Sequence, residues 1–188
     1  MVGSILGNRV PRTEDLNLLT DGGTYVYDLP LENVAYAYFV RSTVAHATLK
    51  EINIDEAVNA PGVLGVLDAN ALGIGPFSAG IAKVNDAFAR TPLATETVRY
   101  VGDPIVVIVA ETFQQAMDAS EFVYIDYDFL PAVVNPEDAF IEGSQLIFPS
   151  KGNNLAISLE DPEADVLSDA DHVIRGRYVN QRVAGVPL

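Results

Sequence analysis

The chain contains no cysteine, and that absence excludes several chemistries at once. Disulfides, thiolate metal sites, iron–sulfur ligation and a cysteine nucleophile are all ruled out within it. Histidine is nearly as scarce: His46 and His172 are the only two, so a three-imidazole metal site cannot form. Basic residues are few as well. Eleven Lys and Arg (11) stand against 26 Asp and Glu, and the formal charge is −15. Neutralising phosphates needs clustered cations, so this balance argues against nucleic acid as a partner. The acidity serves solubility first; a basic partner surface is the sharper reading. No apolar run approaches membrane-spanning length, and no basic stretch followed by an apolar one opens the chain. Arg9 and Arg12 are not adjacent, so no twin-arginine signal is present. The expected location is cytoplasmic, with which the lack of cysteine agrees.

What is present points to a globular fold. The apolar share is 49% of 188 residues, enough to bury a core as one domain or one domain with an appendage. The most apolar stretch is 97–134, which parses as strand, helix, strand. Residues 105–110 form a continuous apolar run, β-branched except at Ala110, suited to a strand covered on both faces. Thr112 and Gln115 have the spacing of a capping box. Phe113, Ala116, Met117 and Ser120 share one helical face. Val123, Ile125, Tyr127 and Phe129 then alternate against Tyr124, Asp126 and Asp128, as in a strand with one buried face. Parallel pairing of the two strands through a right-handed crossover is the simplest expectation.

The other segments are read in order. Residues 1–30 form an irregular arm punctuated by Gly3, Gly7, Pro11 and Gly22-Gly23, with a short strand expected at 24–28. Strands are expected at 34–40, 47–54 and 63–67. Asp55 caps a short helix, and Asp68 starts a single turn at 69–72. The glycine-containing loop 73–80 lacks a Walker lysine and a dinucleotide fingerprint, so it reads as an ordinary surface loop. Residues 81–92 are also loop-like. Asn135-Pro136-Glu137-Asp138 is a strong helix start, and Asp161-Pro162-Glu163 repeats it. Further strands are expected at 145–149, 155–160 and 172–182.

Candidates for chemistry each have a plainer explanation. His46 lies in a turn beside Ser42 and Thr43, but no orienting acid or nucleophile elbow accompanies it. His172 follows Asp171 at a strand start, where a structural hydrogen bond is the default. Asp126 and Asp128 share a strand face and could hold a divalent cation, though alternating acids on a solvated face explain them more simply. Glu137 and Asp138 suit the helix dipole, and Asp103 suits the turn between Gly102 and Pro104. Tyr36, Tyr38, Tyr124 and Tyr127 read as strand residues. No catalytic, cofactor-binding or metal residue is assigned. The fold class is α+β.

Several stretches in this order carry a resemblance. They are Arg12-x-Glu14-Asp15, Thr20-x-Gly22-Gly23-x-Tyr25, Arg41-Ser42-x-x-Ala45-His46-Ala47, Ala60-Pro61-Gly62-Val63 and Pro92-Leu93-Ala94. Val98-Arg99-Tyr100-Val101-Gly102-Asp103-Pro104, Ala116-x-Asp118-Ala119-x-Glu121, Asp126-Tyr127-x-x-Leu130-Pro131-Ala132 and Asn180-Gln181-Arg182 complete the series. The chain resembles the N-terminal part of the large subunit of the molybdenum hydroxylases: xanthine dehydrogenase, aldehyde oxidase and carbon monoxide dehydrogenase. The closest likeness is to the carbon monoxide dehydrogenase-like branch.

The resemblance implies an α/β hammerhead-like mixed sheet with short helices and an irregular N-terminal arm. It implies an arm at 1–30, a hammerhead domain at 31–170, and a strand at 171–188 leading into a molybdopterin-binding domain not contained here. Asn180, Gln181 and Arg182 are expected at that interdomain joint. It also implies molybdenum and molybdopterin in the full subunit, and iron–sulfur and FAD (flavin) partner subunits. A homodimer through the uncovered strand is a further expectation. The function implied is structural and assembling, not catalytic. Two alternatives stand beside it: a free-standing interaction or regulatory protein, and a small acidic enzyme using Asp126 and Asp128 with a metal.

Overall fold

The computed structural model describes residues 7, 12–23, 25–77, 88–157 and 167–178. The chain divides into two units, Met1–Phe77 with Arg90–Ala132, and Ser78–Ala89 with Val133–Leu188.

The first unit holds two three-stranded sheets. Its strands are β1 (Tyr36–Arg41), β2 (Ala47–Asn53), β3 (Val63–Leu67), β4 (Thr97–Val98), β5 (Pro104–Ala110) and β6 (Tyr124–Phe129). Its helices are α1 (Asp15–Thr20), α2 (Asp55–Val58), α3 (Ala69–Leu72) and α4 (Phe113–Ser120). One sheet has the order β1-β5-β3 and the other β4-β2-β6, and every ladder is antiparallel. β5 is the centre of the first sheet: Ile105, Val106, Ile108 and Ala110 are fully buried, as a doubly covered strand requires. Tyr38 of β1 and Val66 of β3 flank Ile108 in register. The α+β, hammerhead-like architecture expected from the sequence is borne out.

Parallel pairing of β5 with β6 is not. Both edges of β5 are taken by β1 and β3, so the chain leaving α4 cannot return to it. It pairs instead with β2, antiparallel, in the other sheet. The alternation along β6 is also shorter than expected. Ile125 and Tyr127 pack on the core, but Phe129, at the last rung opposite Ala47, is 71% exposed.

α4 packs on β1 and β5 through Ala116 and Ala119 rather than through Phe113 and Met117, which are exposed. Small side chains let the helix backbone approach the sheet closely, and Phe113 turns its ring edge-on to Tyr38 at 5.8 Å. Thr112 caps the helix, accepting from the Gln115 N–H at 3.2 Å. The reciprocal half of the box is absent: the Thr112 hydroxyl donates to Gln115 Oε1 at 2.9 Å, so one main-chain donor is satisfied instead of two. Gly62, at φ +75°, sits directly under the Gln115 carboxamide, which explains where that side chain lies.

Smaller departures have local causes. The strand expected at 24–28 is a 3₁₀ turn, Val26–Asp28, closed by the Asp28 carboxylate accepting from Tyr25 N. Asp55 is the first residue of α2 and not its cap; Asn53 Oδ1 accepts from the Asp55 N–H at 3.1 Å. Asp68 does cap α3, accepting from Ala71 N at 2.7 Å. The arm contains α1, whose six residues are all at the surface.

The second unit has no ladder among the described residues. The Asn135 helix start gives a single 3₁₀ turn, Asp138–Phe140, with Asn135 Oδ1 accepting from Glu137 N. The strands expected at 145–149 and 155–157 are irregular. Asn154 is the reason for the first. Its side chain accepts from Ile147 N at 3.0 Å and donates to Gln145 O at 3.0 Å and Ala139 O at 3.1 Å, using groups that a ladder would need. Residues 172–178 are exposed and unpaired in any ladder. The rest of the expected 155–160 and 172–182 strands, most of the helix expected from Asp161, and loop positions 78–87 lie outside the described residues.

Candidate functional site

The described residues bury three polar side chains: Ser42, His46 and Asp103, at 3%, 4% and 6% exposure. All three lie in the two connections where the sheets meet, residues 42–46 between β1 and β2, and 99–103 between β4 and β5. Each connection runs from one sheet to the other, and its covered main-chain groups need partners. They find each other. Ser42 N–H donates to Asp103 O at 2.8 Å, and Gly102 N–H returns a bond to Ser42 O at 2.8 Å. Gly102 takes φ +94°, a conformation open to glycine.

Side chains complete the knot. The Ser42 hydroxyl donates to Val44 O at 2.7 Å and accepts from Val44 N at 3.1 Å. Asp103 Oδ2 accepts from the Arg99 N–H at 3.0 Å. His46 Nδ1 meets Pro131 O at 2.9 Å; a carbonyl only accepts, so Nδ1 carries the proton. Leu130 N–H donates to His46 O at 3.0 Å, so the histidine holds the end of β6 at two points. Burial raises the Tyr127 phenol above its ordinary value, partly offset by hydrogen bonds with the Ser42 side chain and the Thr43 backbone. Burial likewise lowers the Arg99 guanidinium, against the pull of Asp103 and Glu96.

This arrangement answers the Ser–His question. Ser42 and His46 occupy the same connection, but each gives its proton to a main-chain carbonyl. The serine proton is therefore not directed at the imidazole. Asp126 and Asp128 do not converge on a cation either. Asp126 stands opposite Glu51 across the ladder, and Asp128 lies 3.9 Å from Lys50 Nζ. Among the described residues no group of three or more His, Cys, Asp or Glu could hold a metal. His172 is exposed in the unpaired segment 171–178. Asn180, Gln181 and Arg182 lie outside the described residues. Sequence reasoning did not single out Arg41, Arg90, Arg99 or the hydroxyl of Tyr127. The first and third stand in the motifs quoted above, which was the available signal.

Two clefts stand apart from the knot. One of about 310 Å³ is lined by Asn53, Glu56, Glu121, Phe122, Val123 and Tyr124. Another of about 370 Å³, in the second unit, is lined chiefly by apolar residues including Phe88, Val134 and Phe148. Neither has a lysine or arginine in its wall.

Fold and site together define an α+β domain of two antiparallel sheets with a polar knot at the 42–46 and 99–103 connections. The family described as aldehyde oxidase and xanthine dehydrogenase, a/b hammerhead domain, matches residues 20–131, more than half of the chain, and the chain belongs to that family. The nicotine 6-hydroxylase large subunit of Paenarthrobacter nicotinovorans is 35% identical over 193 aligned positions, covering 98% of this chain and 23% of that subunit. The xanthine dehydrogenase molybdenum-binding subunit of Escherichia coli O157:H7 is 30% identical over 175, covering 89% and 23%. Among solved structures, CO dehydrogenase from Oligotropha carboxidovorans superposes with a TM-score of 0.62 at 33% identity, covering 73% of this chain and 17% of that one. The chain therefore spans less than a quarter of the length of these relatives.

Neither of these two clefts fits a phosphate-bearing pterin cofactor. The clefts offer carboxylates or apolar walls where its phosphate would need cationic donors. Among the described residues no helix is long and apolar enough to cross a membrane.

Proposed function

We propose that this chain is the N-terminal structural and assembly domain of a molybdenum-dependent hydroxylase or dehydrogenase large subunit of the carbon monoxide dehydrogenase-like kind, and that it performs no chemistry alone. The observation that carries this reading is the family match over 20–131 on a chain whose buried polar groups are spent on joining two connections. Molybdenum and molybdopterin belong, on this reading, to the part of the subunit that the relatives have beyond the matched length. Asn180, Gln181 and Arg182 form the joint to it. Iron–sulfur and flavin subunits are the partners, and the assembly is cytoplasmic.

Metal analysis of the purified chain tests the reading, with extraction of any pterin for fluorescence. The expected result is neither molybdenum nor pterin above background. Stoichiometric molybdopterin on the 188-residue chain would overturn it.

A further inference from the structure

The turn Arg99–Asp103 is held more firmly than a bare surface turn requires. Its main chain is pinned to Ser42 from both sides, and its own Asp103 carboxylate closes it through Arg99 N. Arg41 adds a bond from its guanidinium to Gly102 O at 3.0 Å. Yet the tip is bare: Val101 is 65% exposed and Tyr100 40%. A rigid turn that presents an aromatic and an aliphatic side chain has its ordering cost met before any partner arrives.

Cations surround this tip in a chain that has only 11 of them. Arg90 donates to the Tyr100 hydroxyl at 2.7 Å and lies 5.2 Å from its ring centroid. Arg41 lies 5.6 Å from the exposed ring of Phe39. Among the described residues neither Arg41 nor Arg90 forms an ion pair; both spend their donors on neutral oxygens and keep their charge unmatched. Arg and aromatic side chains around an exposed apolar tip are the composition of an interface centre. The acids near Arg99 are Glu96 and the buried Asp103.

The geometry points to a preformed docking surface here, made of the 99–103 turn with Arg41 and Arg90, for a polypeptide segment that presents carboxylates beside apolar side chains. The chain's charge of −15 repels a dense polyanion as a whole, while a short segment with one or two carboxylates meets only the local arginines. The segment belongs to a chain other than this one, since two copies each carrying a charge of −15 repel one another.

The test is a titration of the isotopically labelled chain with a blocked tetrapeptide of alternating leucine and glutamate, followed by ¹H–¹⁵N spectra. Saturable shifts are expected at the amides of 99–103 and at the Nε signals of Arg41 and Arg90. Arg41→Gln with Arg90→Gln is expected to weaken binding about tenfold, the scale for removing two exposed charge contacts. Val101→Asp, at a fully solvated tip, is expected to abolish it. Amide spectra unchanged away from the turn certify folding of both variants. Four results would each overturn the proposal: no saturable shift; binding left unchanged by the double substitution; inorganic phosphate occupying the same residues at least as tightly; or self-association through this turn without peptide.

Discussion

Ile108 and Ile174 are the same side chain in opposite circumstances. Ile108 sits in β5 between Tyr38 and Val66, with no exposed surface. Ile174 follows Val173 in a stretch that also reads as a strand, and is 95% exposed. Local propensity favours a strand at both places. The difference is what lies alongside: β5 has a partner on each edge and a helix over it, whereas 171–178 has no ladder among the described residues. Propensity nominates a strand, and the ladder and its cover decide whether the residues are buried.

The largest test of that contrast replaces each isoleucine by alanine. Ile108→Ala is expected to cost about 2–5 kcal/mol in urea unfolding, because a cavity forms in a core that cannot collapse onto it. Ile174→Ala is expected to change stability by less than about 0.5 kcal/mol, as exposed substitutions do. Equal losses would mean that residue 174 is covered in solution. The polar joint comes next. Asp103→Ala removes the acceptor of Arg99 N and loosens the turn, with an expected cost of about 1–3 kcal/mol. Asp126→Ala, on a half-exposed edge, serves as its control and is expected to be close to neutral.

Much of the first unit was legible because its signals agree. The apolar run of β5, the Asp68 cap and the 63–67 strand are each specified locally, and are seen as burial, a hydrogen bond and a ladder respectively. What could not be read was pairing. Nothing in residues 97–134 says that both edges of β5 are already occupied, so the crossover to β6 looked parallel. The helix face was misjudged because the contact selects small side chains over large ones, which periodicity weighs the other way. The joint was half visible. Ser42, His46 and Asp103 stood out as residues, but that they are buried, and that His46 answers a main-chain carbonyl 85 positions away, depends on topology. In the second unit Asn154 competes with the ladder through its side chain, and a strand pattern carries no record of such competition.

A smaller effect separates the two units by pH. The Tyr127 phenol is raised above its ordinary value by burial, so the folded state keeps its proton where the unfolded state begins to lose one. The unfolded chain then binds fewer protons than the native one, and stability falls as pH rises through and above about 10. Below that range this group contributes no slope. Tyr127→Phe is expected to flatten the part of the alkaline decline seen in urea midpoints between about pH 9 and pH 11 that this phenol causes. An unaltered decline would show that this phenol is not its cause.

The smallest expected change is the most discriminating. Asn154→Ala deletes the side chain that accepts from Ile147 N, a hydrogen bond worth about 1 kcal/mol at that amide. If the second unit opens by itself, amide exchange at Ile147 should speed by about five- to tenfold while exchange along β5 stays unchanged. The urea midpoint followed through the Tyr38–Phe113 neighbourhood should not move. If the β5 amides accelerate together with Ile147, the two units unfold as one cooperative body, and the contrast between Ile108 and Ile174 is then one of exposure within a single folding unit and not of two separate stabilities.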